Sequence, residues 1–384
     1  MKHLRFFLFA AISLSLVACG GDKSSSEGTM DALAQTSENA AASTLPATFY
    51  MKLKGTIGDG IPVTMDLIRE DTTLTGTYYY DRIGMPLNLY GSVKGDEMKF
   101  RLRESNAQYD ETGTFEGKFL NAATIEGTWT NAKNKKQLPF NLQESREGIM
   151  QVAFEEFHEE DCSNRDKNLK NPPSEDEGWW TDTLCSSIDL FMVKVTGPDA
   201  GVAKSINEAI EKAIGSDGVG DVHSIEDHMN SVHKLEADEY MEMEEDCGIV
   251  TNEPGLFVVS IGTYEFSGGA HPNSWVTYLN FDSKTGRRIQ LEELLKPGAR
   301  KDLDRIGERL FNEQNGGESE GMWDFEPGKF TLNDNFAIQK GGITFVFNPY
   351  DIGPYVAGAP AVFIAYKEFK HLIKEGSVIS NLTL

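Results

Sequence analysis

Short runs in which apolar and polar residues alternate fill the chain from Ala47 to about Leu142: "TFYMKLKG", "IPVTMDLIRE", "TLTGTYYYD", "PLNLYGSV", "EMKFRLRE", "GTFEGKFL", "TIEGTWT" and "LPFNLQE". A period of two sends successive side chains to opposite faces of a strand, so each run predicts a half-buried strand. Turn residues such as Gly58-Asp59-Gly60 and Gly95-Asp96 separate the runs at hairpin spacing. Eight such strands leave edges exposed unless the sheet closes or pairs with another. The expected first domain is therefore an all-β meander over residues 47–145, a small eight-stranded barrel or a sandwich. Phe49, Tyr78, Tyr80, Phe100, Phe115, Phe119, Trp129 and Phe140 either fill its interior or line a ligand cavity, because eight strands enclose room for little more.

After Ser145 the period changes. "VAKSINEAIEKAI" places Val202, Ala203, Ile206, Ala209, Ile210, Ala213 and Ile214 on one face at helical spacing, which predicts an amphipathic helix packed on a core. A second, charged helix is expected from Ile225 to about Glu245. "GLFVVSIGTYEF" and "SWVTYLNFD" read as paired strands joined through "FSGGAHPNSW". A helical pair, "LEELL" and "GARKDLDRIGERLFNEQ", follows, then two strands, the loop "NPYDIGPYVAG", a strand "PAVFIAY" and a short helix from near Lys367. This divides into a small α+β domain over 148–245 and a C-terminal α+β domain over 246–375. The expected fold class is multi-domain, an all-β meander followed by an α+β region.

The first residues change the picture of where the chain works. Lys2 and Arg5 precede an apolar run from Phe6 to Val17, too short for a bilayer core that needs about 20 residues. Residues 1–18 are thus expected to be a signal peptide. Leu16-Val17-Ala18-Cys19 resembles the lipobox of bacterial lipoproteins, in which Cys19 becomes the lipid-bearing first residue. Residues 19–46 are rich in Ser, Ala, Gly, Glu and Thr and read as a flexible stalk. The expected location is the cell envelope, with the membrane contacted through the lipid alone; in a host with two membranes this means the outer membrane, facing the periplasm or the cell surface.

A hydrophobic content of 39% fits a globular body on that stalk. The formal net charge is −24, and without Lys2 and Arg5 the remaining 34 Lys and Arg face 60 Asp and Glu. Such a field repels nucleic acid, which is excluded as a partner, and attracts cations or basic proteins. Cys162, Cys185 and Cys247 remain besides Cys19. Cys162 and Cys185 flank a polar excursion that a disulfide would staple, which leaves Cys247 unpaired; a Cys185–Cys247 pair is the alternative.

Candidate chemistry is sparse. His223 and His228 in "HSIEDH" come close to the His-Ser-x-x-His element of NodB-type polysaccharide deacetylases, but five residues turn the two rings about 140° apart on a helix. His233 adds no motif spacing. The run "EADEYMEMEEDC" carries seven carboxylates between Glu236 and Asp246 without the pattern of a calcium loop, and reads as a solvated helix face. No nucleophile elbow, phosphate loop, dinucleotide fingerprint or Cys-x-x-Cys occurs. No catalytic residue, metal ligand or cofactor is expected.

"SGGAHPN", "FDSKTGRRIQLEELL" and "FNPYDIGPYVAGAPAVFIAY", in this order, resemble the C-terminal domain of the RsiV-like family, found in a lysozyme-sensing anti-sigma factor and beside certain peptidoglycan deacetylase domains. The resemblance extends over about Gly148 to Lys374 and includes the helix containing Asn207. It implies an extracytoplasmic sensing or binding module with Gly268, Gly269, Ala270, His271 and Pro272, and Pro349, Tyr350, Gly353, Pro354, Tyr355 and Gly358, as the candidate surface. The anti-sigma factor's membrane helix and sigma-binding part have no counterpart, nor does the deacetylase domain. His271 is read as a structural histidine of its own turn or of the Pro-Tyr loop. The expected function is a non-catalytic envelope module binding a cationic muramidase such as lysozyme, or peptidoglycan, with Tyr350, Tyr355, Trp179 and Trp180 as anchors. An enzyme acting on glycan or peptide through Asp351, and a purely structural envelope protein, are the alternatives.

Overall fold

The computed structural model describes residues 45–94, 98–106, 110–165, 184–197, 199–215, 224–236, 239–316 and 322–382. The eight alternating runs form β1 (Thr48–Ile57), β2 (Ile61–Glu70), β3 (Thr73–Tyr80), β4 (Leu87–Lys94), β5 (Lys99–Ser105), β6 (Glu111–Asn121), β7 (Thr124–Asn131) and β8 (Gln137–Glu144). Each pairs antiparallel with the next, and β1 returns to β8 from Leu53 opposite Glu144 to Ile57 opposite Phe140, so the meander closes as a barrel. Side chains pack its interior. The ring of Phe115 meets Tyr78 edge-on at 5.1 Å and Phe140 at 5.2 Å, with Leu53, Met65 and Leu102 around them. One carboxylate shares this space: Glu104 accepts hydrogen bonds from Tyr78 Oη at 2.6 Å, Thr112 Oγ1 at 2.6 Å and Trp129 Nε1 at 2.5 Å. Three donors take over from water and let it stay buried.

A five-stranded sheet follows, built from β9 (Val152–Asp161), β10 (Ser186–Val195), β11 (Glu242–Glu253), β12 (Leu256–Phe266) and β13 (Asn273–Phe281) in the order β13-β12-β11-β10-β9. Only β10 and β11 run parallel. A parallel pair needs a crossover, and α1 (Ala200–Ala213) lies in it. Asp199 caps α1 by accepting from Gly201 N and Val202 N, and Ala203, Ile206 and Ile210 bury its apolar stripe against the sheet. Asn207 on the same helix clasps the backbone N–H and C=O of Val195 at 2.8 and 3.0 Å. Next comes α2 (Ile225–Met229). Beyond β13, α3 (Leu291–Leu294), α4 (Arg300–Asn315), the sheet β14 (Phe336–Ile338), β15 (Gly342–Val346) and β16 (Ala361–Ala365), and α5 (Tyr366–Phe369) share a further core with Leu256 and Val258 of β12. Among the described residues no helix is long and apolar enough to cross a membrane.

The structure departs from the sequence reading between Ile225 and Glu245. The expected charged helix is short: α2 passes into a 3₁₀ turn over Asn230–Lys234, and from Glu242 the chain is strand β11. Glu245 and Asp246 are buried rather than on a solvated helix face. Glu245 is held inside by His228 Nε2 at 2.5 Å, the N–H of Gly215 at 3.0 Å and Thr263 Oγ1 at 3.3 Å, partners that local helix propensity cannot register. The expected domain boundary between 245 and 246 falls within β11, which pairs with β10 on one side and β12 on the other.

The barrel is docked on this sheet by buried charge. Lys52 on β1 lies 3.2 Å from Asp66 on β2 and 2.8 Å from Glu253 at the end of β11. Tyr50 donates to Asp66 at 2.5 Å and Tyr79 to Glu253 at 3.0 Å. Ile68 of β2 enters the core beneath the five-stranded sheet.

Candidate functional site

The connection from β12 to β13 is a six-residue turn, Ser267 to Pro272, whose shape depends on its glycines. Gly268 and Gly269 have φ of +88° and +92°, angles that an L side chain resists, although open space surrounds both. The turn delivers the exposed His271 onto the loop between β15 and β16. The imidazole stacks on Tyr355 with centroids 3.9 Å apart and planes 18° from parallel. Tyr355 Oη donates to Pro272 O at 2.7 Å, and His271 Nδ1 lies 2.9 Å from the same carbonyl. Two segments that the sequence treats separately therefore make one surface.

The loop is itself pinned. Asn348 clasps Val276 of β13, accepting from its N–H at 2.9 Å and donating to its C=O at 3.1 Å. Asp351 accepts the N–H of Asn348 at 2.8 Å, so its carboxylate closes a turn. Pro354 precedes a 3₁₀ turn over Tyr355–Ala357, and Gly358 leaves it at φ +66°. Gly353 is packed against Trp323, where a Cβ would come within 3.2 Å of the ring. Pro349 introduces Tyr350, which has φ +73° and is 61% exposed; Val356 is 79% exposed. A tyrosine and a valine held out on a pinned loop, the tyrosine in a strained conformation, are what a contact surface offers and a core does not.

Acidic strand ends border this rim. Glu242 and Glu244 of β11 lie opposite Phe266 and Tyr264, and Glu265 lies opposite Asn273. The phenol of Tyr264 is raised above its ordinary value by burial and then by Glu242, Glu244 and Tyr355, so this one side chain lies within electrostatic reach of both the carboxylates and the loop. Sequence reasoning identified the turn, the loop and the acidic run. It missed their convergence, because the run was assigned to a helix, and it missed the Asn348 clasp, for which the sequence carries no signal beyond the residue itself.

Replacing His271 by alanine removes the stack on Tyr355 and is expected to cost about 1 kcal/mol of stability, with little effect on a partner that contacts Tyr350. Urea unfolding and a binding isotherm on the same variant check this. An unchanged midpoint with binding lost would reassign His271 as a contact residue.

The other singled-out residues lie elsewhere. His228 goes to the buried Glu245, whereas His233 faces Glu159 at 3.3 Å and Asp161 at 3.6 Å, so these two histidines serve different carboxylates. Cys162 and Cys185 form a disulfide with sulfurs 2.01 Å apart, and Cys247 is free and buried, its thiol pushed up to about 12 by burial. Glu160 stands beside the disulfide, but bonded sulfurs offer no thiolate to a metal. Cys19, Trp179, Trp180 and His223 lie outside the described residues.

A family model described as "Protein of unknown function (DUF3298)" matches residues 292–367, a stretch that holds α4, β14–β16 and the Pro-Tyr loop and stops short of the His271 turn. The chain thus carries a DUF3298 domain toward its C-terminus. It is similar to the crystal structure of a DUF3298-family member from Bacteroides fragilis, 18% identical, covering 61% of this chain and 98% of that one with a TM-score of 0.47. It is also similar to a DUF3298-family protein from Pseudomonas aeruginosa PAO1, 16% identical over 61% of this chain and 96% of that one, with a TM-score of 0.46. No curated protein matches.

Proposed function

We propose that this chain is a non-catalytic binding module of the cell envelope, tethered by a lipid on Cys19, that receives a cationic wall-degrading protein of the lysozyme kind on the rim of Tyr350, Tyr355 and Val356, with His271 stacked on Tyr355 as its support. The observation that carries this reading is an exposed aromatic loop, pinned by Asn348 and Tyr355, beside the carboxylates of Glu242, Glu244 and Glu265. Aromatic side chains on a rigid support make good anchors, and surrounding negative charge speeds the approach of a basic partner. Residues 147–384 carry 43 Asp and Glu against 20 Lys and Arg, so the field lies on the half of the chain that holds the rim. The engagement of Asp351 within its own turn supports a non-catalytic role. The resemblance to the RsiV-like module points the same way.

Titration calorimetry of the full chain with hen-type lysozyme, at low and at moderate salt, tests this. Saturable one-to-one binding is expected to survive moderate salt and to weaken at least tenfold in Tyr350→Ala. Binding that disappears with salt, or that ignores Tyr350→Ala, would reduce the attraction to bulk charge.

A further inference from the structure

The negative charge of this protein stops at the barrel. Residues 47–146 carry 13 Lys and Arg against 13 Asp and Glu, in contrast to the strongly acidic remainder. On the outer wall of this neutral barrel lies an open depression of about 850 Å3, bordered by β1 and β4–β8.

Strand register accounts for its shape. Lys94 lies opposite Lys99, Lys99 opposite Lys118, Lys118 opposite Glu126, Glu126 opposite Asn141 and Asn141 opposite Thr56, a ladder of outward side chains crossing six strands. A second ladder, two residues away along each strand, runs from Ser92 through Arg101 and Glu116 to Thr128. Between the ladders the in-register positions Phe100, Gly117, Gly127 and Phe140 face inward, so side chains wall the trough and backbone floors it. The glycines draw that floor in. A Cβ on Gly117 would come 2.7 Å from the Phe140 ring, and one on Gly127 would come 2.2 Å from the carbonyl oxygen of Glu116. Six strands at their usual spacing give a trough about 24 Å long, and two residues of strand rise separate its walls by about 7 Å.

The trough is chemically graded along its length. Lys94, Lys99, Lys118 and Arg101 cluster on β4–β6. Among the described residues that border the trough, Glu116 pairs with Arg101 at 3.5 Å and Glu126 with Lys118 at 3.2 Å. The β7–β8–β1 end offers the hydroxyls and amide of Thr128, Asn141 and Thr56.

We propose that this trough binds a strand of an acidic polysaccharide laid across the β-strands, with its carboxylates at the Lys94–Lys99–Arg101 end and its hydroxyls toward Thr128, Asn141 and Thr56. Cations set in pairs with carboxylates and followed by neutral hydrogen-bonding groups match a chain that carries both acid groups and hydroxyls. A bilayer surface is flat and does not enter a trough. An extended peptide adds to a free sheet edge, and this sheet has none because β1 pairs with β8. Single-stranded nucleic acid binds by stacking its bases on exposed aromatic rings, and the two rings bordering the trough, Phe100 and Phe140, are buried. The site lies on a different surface from the aromatic rim and selects the opposite charge, so it goes beyond the function proposed above.

Titration of the full chain with a hexamer of galacturonic acid tests it, with maltohexaose, inorganic phosphate and phosphatidylglycerol vesicles as comparators. The hexagalacturonate is expected to bind one-to-one and at least tenfold more tightly than maltohexaose or phosphate. The double variant Lys94→Glu/Lys99→Glu is expected to lose at least tenfold in affinity and Asn141→Ala severalfold, while Tyr350→Ala binds as the parent does. Circular dichroism confirms that each variant is folded; if the double variant is not, Lys94→Gln takes its place, with a severalfold loss expected. Equal affinity for phosphate, preference for the vesicles, unchanged binding by the charge variant, or no binding of the hexamer would each overturn the proposal. Loss of lysozyme binding in Tyr350→Ala is read on the other surface, so the two proposals fail separately.

Discussion

Raising the pH from about 8 to about 11 is expected to remove about 6 kcal/mol of stability and to unfold the protein steeply. Tyr50, Tyr78, Tyr79 and Tyr366 are held protonated far above the ordinary range of a phenol. Burial is the first cause for all four, and Asp66, Glu104 and Glu253 add to it for Tyr50, Tyr78 and Tyr79. In the unfolded chain the same groups ionise near pH 10. Above that value the folded state binds more protons than the unfolded one. Stability is therefore fully present below about pH 10 and lost as the pH rises, at roughly 1–2 kcal/mol per tyrosine by about pH 11. Lys52, whose folded pKa is also raised, acts in the same direction: its share is present below about pH 10.4 and fades above. Urea midpoints followed between about pH 8 and pH 11, with tyrosinate absorbance recorded on the same samples, check this. A flat stability profile through pH 11, or tyrosinate forming before the fold is lost, would refute it.

The barrel residues behind that expectation were largely legible in the sequence. Alternation from Phe49 to Phe140 marked all eight strands, because a strand with one buried face writes its burial into its own residues. Closure was not written there. It depends on Leu53 meeting Glu144 about ninety residues later, a pairing no local pattern encodes. The stretch from Glu242 to Cys247 misled for the same reason. Its carboxylates suit a solvated helix, and only a histidine from α2, a threonine from β12 and a backbone N–H after α1 make Glu245 tolerable inside a strand. The site was legible as residues and not as geometry. His271 and Tyr355 each stood in a segment marked by glycine and proline, yet the ring stack that joins them is visible only in three dimensions. The barrel trough left no local signal, because its walls are assembled from one residue per strand, and Gly117 and Gly127 look like ordinary interruptions of their runs.

Replacing Lys52 by methionine is expected to destabilise the protein by about 3–5 kcal/mol, since removing one member of a buried ion pair strands the others. Its ammonium is the cation between Asp66, fully enclosed, and Glu253, which reaches over from the five-stranded sheet. The directions of the two acids differ. Burial outweighs the lysine at Asp66 and raises its pKa, whereas at Glu253 the lysine and the Tyr79 hydroxyl overcome burial and lower it. Glu253 thus contributes stability that is present above its unfolded value near 4.3 and lost as the pH falls through the folded one; Asp66 opposes folding above its unfolded value near 3.9. Without Lys52 the charge on Asp66 has only Tyr50 to face it, so it takes up a proton more readily and the variant recovers part of its loss as the pH is lowered. Adding Asp66→Asn removes the stranded charge and is expected to restore more than half of the deficit, because Glu253 keeps Tyr79 and partial access to water. Urea unfolding of the two single variants and the double variant forms a cycle that isolates the coupling. Additive losses would show that Lys52 acts through packing alone and that the barrel is held to the sheet by apolar contacts such as that of Ile68.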